Sequence, residues 1–378
     1  MPLDKCRLCG SKFSGKPLLR YENMPKSAQF LPDRDSLPSD KGVSLEVCQC
    51  LSCGLVQLKN KPVPYYKEVI RAAGFSPEMK SFRRRQFAGF VRKYSLKQKK
   101  VIEIGCGRGE YLSIISQFVQ EAYGLEYSKG SVKQCRKEGL SARKGFIENS
   151  DYKLAGGPFD AFFILNFLEH LPEPGAALKG IYNNLADSAV GLVEVPNFDM
   201  ILRAKLFSEF IGDHLFYFTK GTLNTALELN GFEIIESKEI WHDYIISAVV
   251  RKRGKLDLAY FYKQQARLRD EIAGYIRRFR DKRVAIWGAG HQALAVISLT
   301  NITGRIKYVV DSAVFKQNKF TPATHIRIVS PEALVQDPVD AVMVMAASYS
   351  DEVAGFLRKS FGKKINIAIL RNFGLEIV

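Results

Sequence analysis

The chain has 378 residues, of which 46% are hydrophobic and 25% are charged, and its formal net charge is +17 at pH 7. This length predicts two or three domains, and the composition excludes a largely disordered chain. No apolar run approaches the roughly 18 residues of a membrane span, and the first residues lack the apolar core of a secretory signal, so we expect a cytoplasmic protein without a membrane partner.

The positive charge is confined to two stretches of the chain. Residues 59–100 contain thirteen Lys and Arg against two acids, and residues 251–283 contain twelve against four. The remainder is therefore close to neutral. Each stretch is either a solvated helical face or the contact surface for an anionic partner.

Five of the seven cysteines lie in the first 53 residues, within CRLCG at 6–10 and CQCLSCG at 48–54. Two Cys-x-x-Cys-Gly turns at this separation are typical of a tetrahedral zinc site, because each turn directs two sulfurs at one ion. Disulfide bonds are the alternative, and a reducing compartment disfavours them. We therefore predict a structural Zn²⁺ in a zinc ribbon, with Cys48 left over. The predicted ligands are Cys6, Cys9, Cys50 and Cys53.

The segment KKVIEIGCGRGEYLSIISQF at 99–118 predicts the first strand, glycine-rich loop and amphipathic helix of a doubly wound sheet. A second strand ends at Glu126, where a carboxylate can accept hydrogen bonds from the hydroxyls of a ribose. Either a dinucleotide or S-adenosylmethionine satisfies these features. Glu103 at the end of the first strand separates them, because it would repel a pyrophosphate but could meet an ammonium group. A later strand carries Asn166 at its carboxyl end, just before LEHLPEP.

Together these motifs resemble those of the class I S-adenosylmethionine-dependent methyltransferases, both in the glycine-rich loop and in the LEH-x-x-x-P strand end. The resemblance implies that the middle of the chain binds S-adenosylmethionine. The residues predicted to bind this cofactor are Glu103, Gly105, Cys106, Gly107, Gly109, Glu126, Tyr127 and Asn166.

Residues 252–281 predict one long helix of alternating apolar and basic residues. A second doubly wound unit follows, with Gly288 and Gly290 after its first strand and Asp311 at the end of its second. This unit is either a second nucleotide site or a fold kept as a lid or dimer element.

The predicted fold class is therefore α/β, with an N-terminal zinc ribbon, a class I methyltransferase Rossmann-like domain and a second, C-terminal Rossmann-like domain. The predicted boundaries are 1–65 for the zinc-binding domain, 66–250 for the methyltransferase domain, 251–281 for the linking helix and 282–378 for the C-terminal domain.

In this order the segments resemble the sugar C-methyltransferase family, which makes branched-chain deoxysugars on nucleotide carriers. The resemblance covers nearly the whole chain and implies an NDP-4-keto sugar substrate between the methyltransferase and C-terminal domains, with His170 and His214 at the sugar. We expect a monomer or a homodimer. The motifs that carry the resemblance are CRLCG, MPKSAQFLP, CLSCGLVQL, VIEIGCGRG, LEH, VEVPN, DHLFYF, WGAG, VVD and SPEAL.

Methylation at carbon requires a base that removes the proton next to the 4-keto group, while donors stabilise the enolate. His214 is the predicted base, with Asp213 or His170 orienting it or stabilising the charge. The family usually has Tyr-His-Glu-His where this chain has Ile-Gly-Asp-His at 211–214. A hydroxyl acceptor needs one base and no enolate support, so this change keeps O-methylation open as an alternative.

The family also places an active-site Tyr after its zinc domain. Here the nearest match, AGFSPEM at 73–79, offers only Phe75 and Ser76. The upstream Tyr65 is therefore predicted to serve as this catalytic residue, with Tyr66 as the other possibility.

Three other functions fit parts of the sequence. An RNA methyltransferase would explain the zinc turns and the charge, but RRRQF at 83–87 lacks aromatic stacking platforms, so a nucleic acid partner is disfavoured. An NAD-dependent module would need a Tyr-Lys or Cys constellation after WGAG, and none follows. The third alternative is a protein that binds its ligands without turnover.

In the favoured interpretation, some of the arginines at 83–85 or the basic face of the helix at 252–281 contact the pyrophosphate of the sugar carrier.

Overall fold

The computed structural model describes residues 3–13, 15–29, 31–68, 76–281 and 283–378. The chain forms two compact units, Met1–Gly254 and Lys255–Val378. Both units combine sheets with helices, which confirms the predicted α/β class. Across the described ranges, no helix is long and apolar enough to cross a bilayer.

The strands of the first unit are β1 Leu19–Met24, β2 Val43–Gln49, β3 Val56–Leu58, β4 Lys100–Ile104, β5 Glu121–Glu126, β6 Ser141–Lys144, β7 Phe159–Leu165, β8 Leu185–Pro196, β9 Phe216–Tyr217, β10 Phe232–Ile240 and β11 Ile245–Lys252. Its helices are α1 Pro77–Lys93, α2 Leu112–Ile115, α3 Lys129–Lys137, α4 Pro174–Asn183, α5 Phe198–Ala204 and α6 Lys220–Leu229.

The larger sheet of this unit has the strand order β10-β11-β8-β7-β4-β5-β6. Strands β4 to β8 are parallel, and β11 runs antiparallel between β8 and β10. The central strands are almost wholly apolar, as in FDAFFIL of β7, because helices cover both faces of a parallel sheet. The order in which strands are added reverses at β4, because β5 and β6 lie on one side of it and β7 and β8 on the other. A ligand crevice is therefore expected at the carboxyl ends of β4 and β7.

The smaller sheet has the order β1-β2-β3-β9 and is antiparallel throughout. Strands β1 to β3 come from the cysteine-rich segment that the sequence predicts to form a zinc ribbon. Strand β9 comes from the aromatic run after His214, and Leu58 donates a backbone hydrogen bond to Leu215 O at 2.9 Å. The cysteine-rich segment therefore shares a sheet with the loop that carries the predicted base. The domain boundary at residue 65 stays a prediction.

The second unit contains α7 Ala259–Ile276, β12 Val284–Trp287, α8 His291–Thr300, β13 Ile306–Val310, β14 Ile328–Val329, α9 Ala333–Gln336, β15 Ala341–Val344, α10 Ser350–Phe361, β16 Asn366–Arg371 and β17 Gly374–Ile377. Its sheet order, β14-β13-β12-β15-β16-β17, is parallel except at β17 and agrees with the predicted Rossmann-like fold.

The predicted helix at 252–281 is shorter in the structure than in the prediction. Lys252 still belongs to β11, where it pairs with Phe232, and Gly254 follows before the helix can begin. Glycine and residues committed to a sheet ladder do not extend a helix, so α7 starts at Ala259.

Candidate functional site

The glycine-rich loop after β4 needs its glycines for conformation and for packing. Gly105 and Gly109 have φ angles of 72° and 94°, a region that L side chains rarely adopt. A Cβ on Gly105 would lie 2.5 Å from the Phe167 ring, and one on Gly109 would lie 2.5 Å from Leu140. The helix that follows, α2, has only four residues and is shorter than its apolar pattern predicts.

Gly105→Ala is expected to destabilise the protein and weaken cofactor binding, and Gly139→Ala provides a matched control. Gly139 has a φ of 79°, but a Cβ added there would meet nothing within 4 Å, so its variant should lose only the conformational term of about 1–2 kcal/mol. The Gly105 variant should lose the same conformational free energy and, in addition, the free energy that corresponds to the clash with Phe167. Chemical denaturation and calorimetric titration with S-adenosylmethionine measure both effects. Equal losses in the two variants would contradict the packing role of Gly105.

The predicted ribose acid lies where the sequence places it. Glu126 is buried at the end of β5 and accepts hydrogen bonds from Gly107 N at 3.0 Å and Ser128 N at 2.8 Å. Beside it lies a pocket whose walls include Tyr127 and Phe167. A carboxylate next to aromatic and aliphatic walls fits a ribose joined to an adenine ring.

Three other predicted cofactor residues lie at the same edge of the sheet. Glu103 is buried next to the end of β4, in register with Phe163 of β7, and Asn166 directly follows β7 with a φ of 50°. The side chain of Cys106, however, packs with Cys135 in a small apolar cluster. The thiol of Cys106 therefore belongs to the core, and its backbone N–H donates to Leu125 O at 3.1 Å.

Sequence reasoning missed one cation in the pocket. Lys67 Nζ lies 5.3 Å from the ring centroid of Tyr127 and 5.1 Å from that of Phe146, and it forms an ion pair with Glu148 at 2.7 Å. Tyr66 packs against the same Phe146 ring at 5.9 Å. No motif marks these residues, because they belong to a different segment of the chain from the glycine-rich loop.

The predicted catalytic residues converge on one loop. Tyr65 Oη donates to Asp213 Oδ2 at 2.6 Å, and the other carboxylate oxygen accepts from Ala28 N at 2.9 Å. His170 Nδ1 lies 2.8 Å from Asp213 O, and the rings of His170 and His214 meet edge to face with centroids 4.9 Å apart. Asp213 thus fixes its own loop through Tyr65 and orients His170 through its carbonyl.

These contacts distinguish Tyr65 from Tyr66, the two candidates for the family's active-site tyrosine. Tyr65 reaches the loop that carries Asp213 and His214, whereas Tyr66 lines a second cavity with Phe146 and Glu148. In the segment AGFSPEM at 73–79, Phe75 lies outside the described residues. Ser76 is the N-cap of α1, where its hydroxyl accepts from Met79 N at 3.1 Å.

Burial governs the protonation of this cluster. It lowers the pKa of His214 to about 3, with a smaller contribution from His170, and it also lowers the pKa of His170. Both imidazoles are therefore neutral at pH 7, and a neutral ring has the lone pair that a base requires. Glu169, which the sequence interpretation did not single out, is buried below them, and desolvation raises its pKa to about 8.

Comparisons with known proteins fit this geometry. Residues 79–237 match a family described as "Methyltransferase domain", and residues 254–367 match the "C-methyltransferase C-terminal domain". The C-methyltransferase NovU of Streptomyces niveus is 22% identical over 389 residues, covering 93% of this chain and 91% of NovU. Over most of its length the chain is therefore similar to C-methyltransferases. The family resemblance drawn from the sequence is thereby confirmed, and the protein is an S-adenosylmethionine-dependent methyltransferase.

Solved structures are similar to this methyltransferase over about half of its length. An S-adenosylmethionine-dependent methyltransferase from Clostridium acetobutylicum has a TM-score of 0.40 at 12% identity, covering 50% of this chain and 96% of that one. Magnesium protoporphyrin IX methyltransferase from Synechocystis, solved with bound SAH, has a TM-score of 0.39 at 16% identity, covering 49% of this chain and 90% of that one.

One of the three arginines predicted at the sugar carrier has another partner in the structure. Arg83 is fully buried and forms an ion pair with Glu194 of β8. Gln86 and Ser247 also donate hydrogen bonds to the Glu194 carboxylate. Arg83 thus cannot contact a pyrophosphate, and the proposed anion contact is left to Arg84 and Arg85, which are exposed.

The sulfurs of the four predicted zinc ligands lie together, within 4.8 Å of one another. The sulfurs of Cys6 and Cys53 are 3.7 Å apart, and those of Cys9 and Cys50 are 3.5 Å apart. Zn–S bonds of about 2.3 Å in a tetrahedron place sulfurs about 3.8 Å apart, so the donor set fits zinc. Cys48 lies outside this cluster, as the spacing predicts.

The second unit repeats the local pattern of the first. Asp311 follows β13 and accepts from Ala289 N at 2.8 Å, Ala313 N at 2.9 Å and Lys316 Nζ at 2.9 Å. A Cβ on Gly288 would lie 2.6 Å from Met345 O, so this glycine serves strand packing. Ligand binding by this unit stays a prediction.

Proposed function

We propose that this C-methyltransferase methylates a nucleotide-linked sugar at the carbon next to a 4-keto group, with His214 as the base. The observation that carries the proposal is the contact between two neutral, partly exposed imidazoles. His214 lies on the loop of Asp213, and His170, in the turn after β7, contacts the Asp213 carbonyl. The match to a C-methyltransferase over both units supports carbon as the acceptor.

S-adenosylmethionine supplies an electrophilic methyl group, and Glu103, Glu126, Tyr127 and the glycine-rich loop are the residues that would hold it. The chain must then position the acceptor and remove its proton. His214 accepts the proton, and the electrons of the broken C–H bond pass into the enolate. Bound S-adenosylmethionine would supply the methyl group to the enolate carbon, with the S–CH₃ bond broken and S-adenosylhomocysteine as the leaving group. Tyr65 and Asp213 are positioning residues, because their contacts fix the loop and the ring of His170.

O-methylation of the same class of substrate is the second candidate. It is favoured by the change from the family's Tyr-His-Glu-His to Ile-Gly-Asp-His at 211–214, since one neutral histidine suffices for a hydroxyl acceptor.

A matched pair of acceptors tests the substrate class. NDP-4-keto-6-deoxysugars and the corresponding NDP-sugars with a 4-hydroxyl are incubated with the protein and S-adenosylmethionine, and release of S-adenosylhomocysteine is followed. Turnover of the ketones alone is expected. Turnover of the hydroxyl compounds alone would favour O-methylation, and no turnover of either would contradict the substrate class.

We further propose that Cys6, Cys9, Cys50 and Cys53 hold a structural Zn²⁺, because four protein ligands leave no open position for chemistry. Two matching turns support this, since Gly10 N donates to Cys6 O and Gly54 N to Cys50 O. Gln57 connects the cluster to the catalytic loop: its Nε2 donates to Cys6 Sγ at 3.1 Å, and its backbone pairs with Phe216 of β9.

Loss of this zinc is expected to reduce methyl transfer more than cofactor binding. Cys50→Ala removes a ligand, whereas Cys48→Ala removes a buried thiol outside the cluster and serves as the control. The Cys50 variant should lose its zinc and most of its turnover while it still binds S-adenosylmethionine, because the cofactor residues belong to the larger sheet. Metal analysis and calorimetry measure these effects. Equal behaviour of the two variants would exclude the zinc site.

A further inference from the structure

The Glu169 carboxylate lies next to His170 and His214, and the proposed methyl transfer does not use it. Glu169 is only 1% exposed, and within the described ranges no hydrogen-bond partner reaches its Oε2. Its Oε1 lies 3.8 Å from Nε2 of His170. A carboxylate buried in this way is unfavourable unless a proton or a cation compensates it.

The surroundings of this carboxylate are those of a metal-binding site. Glu169, His170 and His214 each offer one ligand atom, and the three atoms lie within 4.8 Å of one another. Two imidazoles and one carboxylate suit divalent transition metals, whereas Mg²⁺ and Ca²⁺ favour all-oxygen sites. We propose that these three side chains form a second metal site, separate from the four cysteines, which binds one divalent transition-metal ion.

The contacts of His170 support this assignment. A carbonyl oxygen only accepts, so the 2.8 Å contact with Asp213 O places the proton on Nδ1 of His170. The lone pair then lies on Nε2, the nitrogen that faces Glu169. Metal-bound histidines commonly have this arrangement, in which the second nitrogen donates to a carbonyl and fixes the ring. The His170 side chain is 25% exposed, so an ion can reach it from solvent.

Occupancy of this site should oppose methyl transfer. The His214 lone pair cannot bind a metal ion and accept a proton at the same time. This consequence rests on the proposed function, because it takes His214 to be the base, whereas metal binding itself does not.

Zinc is the probe for this site. Wild-type protein, Glu169→Gln and His170→Ala are dialysed against the same micromolar zinc buffer, and bound zinc per chain is measured. His242→Ala is the matched control, since this exposed histidine lies outside the cluster. Wild type and the control are expected to bind one equivalent more than the two site variants, whose affinity at the second site should fall by about 100-fold or more. All four proteins should also bind one zinc ion at the four cysteines. This ion, together with binding of S-adenosylmethionine, shows that each protein is folded.

Equal zinc contents in wild type and both site variants would overturn the proposal. In the activity arm, zinc should inhibit methyl transfer by the wild type, and a chelator too weak to remove the cysteine-bound ion should reverse the inhibition. Bound zinc without inhibition would overturn the competition with catalysis. If no sugar is methylated at all, the zinc count still gives its answer, so failure of the proposed function is distinguishable from failure of the metal site.

Discussion

Replacing His214 with Gln is expected to lower kcat by about 100- to 10,000-fold, the range typical for loss of a general base. Glutamine keeps polarity and approximate size but cannot accept the proton. The affinity for S-adenosylmethionine should stay within about twofold of wild type, because the cofactor residues lie on other loops. Initial rates and calorimetry measure these two quantities.

His242→Gln is the control for this substitution, since its side chain is exposed and distant in sequence from the catalytic loop. A second readout separates a base from a structural residue. In D₂O with S-adenosylhomocysteine bound, wild type should exchange the proton next to the ketone, and His214→Gln should not. Full turnover or full exchange by the His214 variant would show that the base is another group.

Replacing Arg83 with Met is expected to lower the free energy of unfolding by about 3–5 kcal/mol. The substitution removes the charged partner of Glu194 and leaves that carboxylate buried, with Gln86 and Ser247 as its remaining donors among the described residues. Urea denaturation measures the change. Arg84→Met is the control, because an exposed arginine of the same helix should change stability by about 0.5 kcal/mol or less.

The double variant Arg83→Met with Glu194→Met identifies the cause of the loss. If an uncompensated charge is responsible, removing both partners should recover part of the stability. Recovery is expected to be partial, since Gln86 and Ser247 lose their acceptor. If the double variant has a lower free energy of unfolding than Arg83→Met, the uncompensated charge is not the cause of the loss.

Local motifs predicted the glycine-rich loop after β4 and the grouping of the four cysteines. Both depend on residues whose spacing is set by one turn, such as the glycines after β4 and the two Cys-x-x-Cys-Gly knuckles. The position of Glu126 at the end of β5 was also predicted, because a strand end about twenty residues after the loop follows from the doubly wound topology. Its contact with a ribose stays a prediction.

Contacts between distant segments could not be predicted in the same way. Nothing in FYF at 216–218 indicates that it pairs with a strand of the cysteine-rich segment, although β3 and β9 share a sheet. Arg83 has two exposed arginine neighbours in sequence, and its burial depends on Glu194, 111 residues away. A run of arginines in the sequence therefore does not show which of its side chains is buried and which face solvent.

The bond formed by the transferred methyl group tests the central claim most directly. Methyl-¹³C-labelled S-adenosylmethionine and an NDP-4-keto-6-deoxysugar are incubated with the protein, and the product is analysed by NMR. The labelled carbon is expected to couple directly to a ring carbon next to the ketone, with loss of the proton there. A labelled methyl carbon attached to oxygen, with that ring proton retained, would contradict carbon methylation through an enolate.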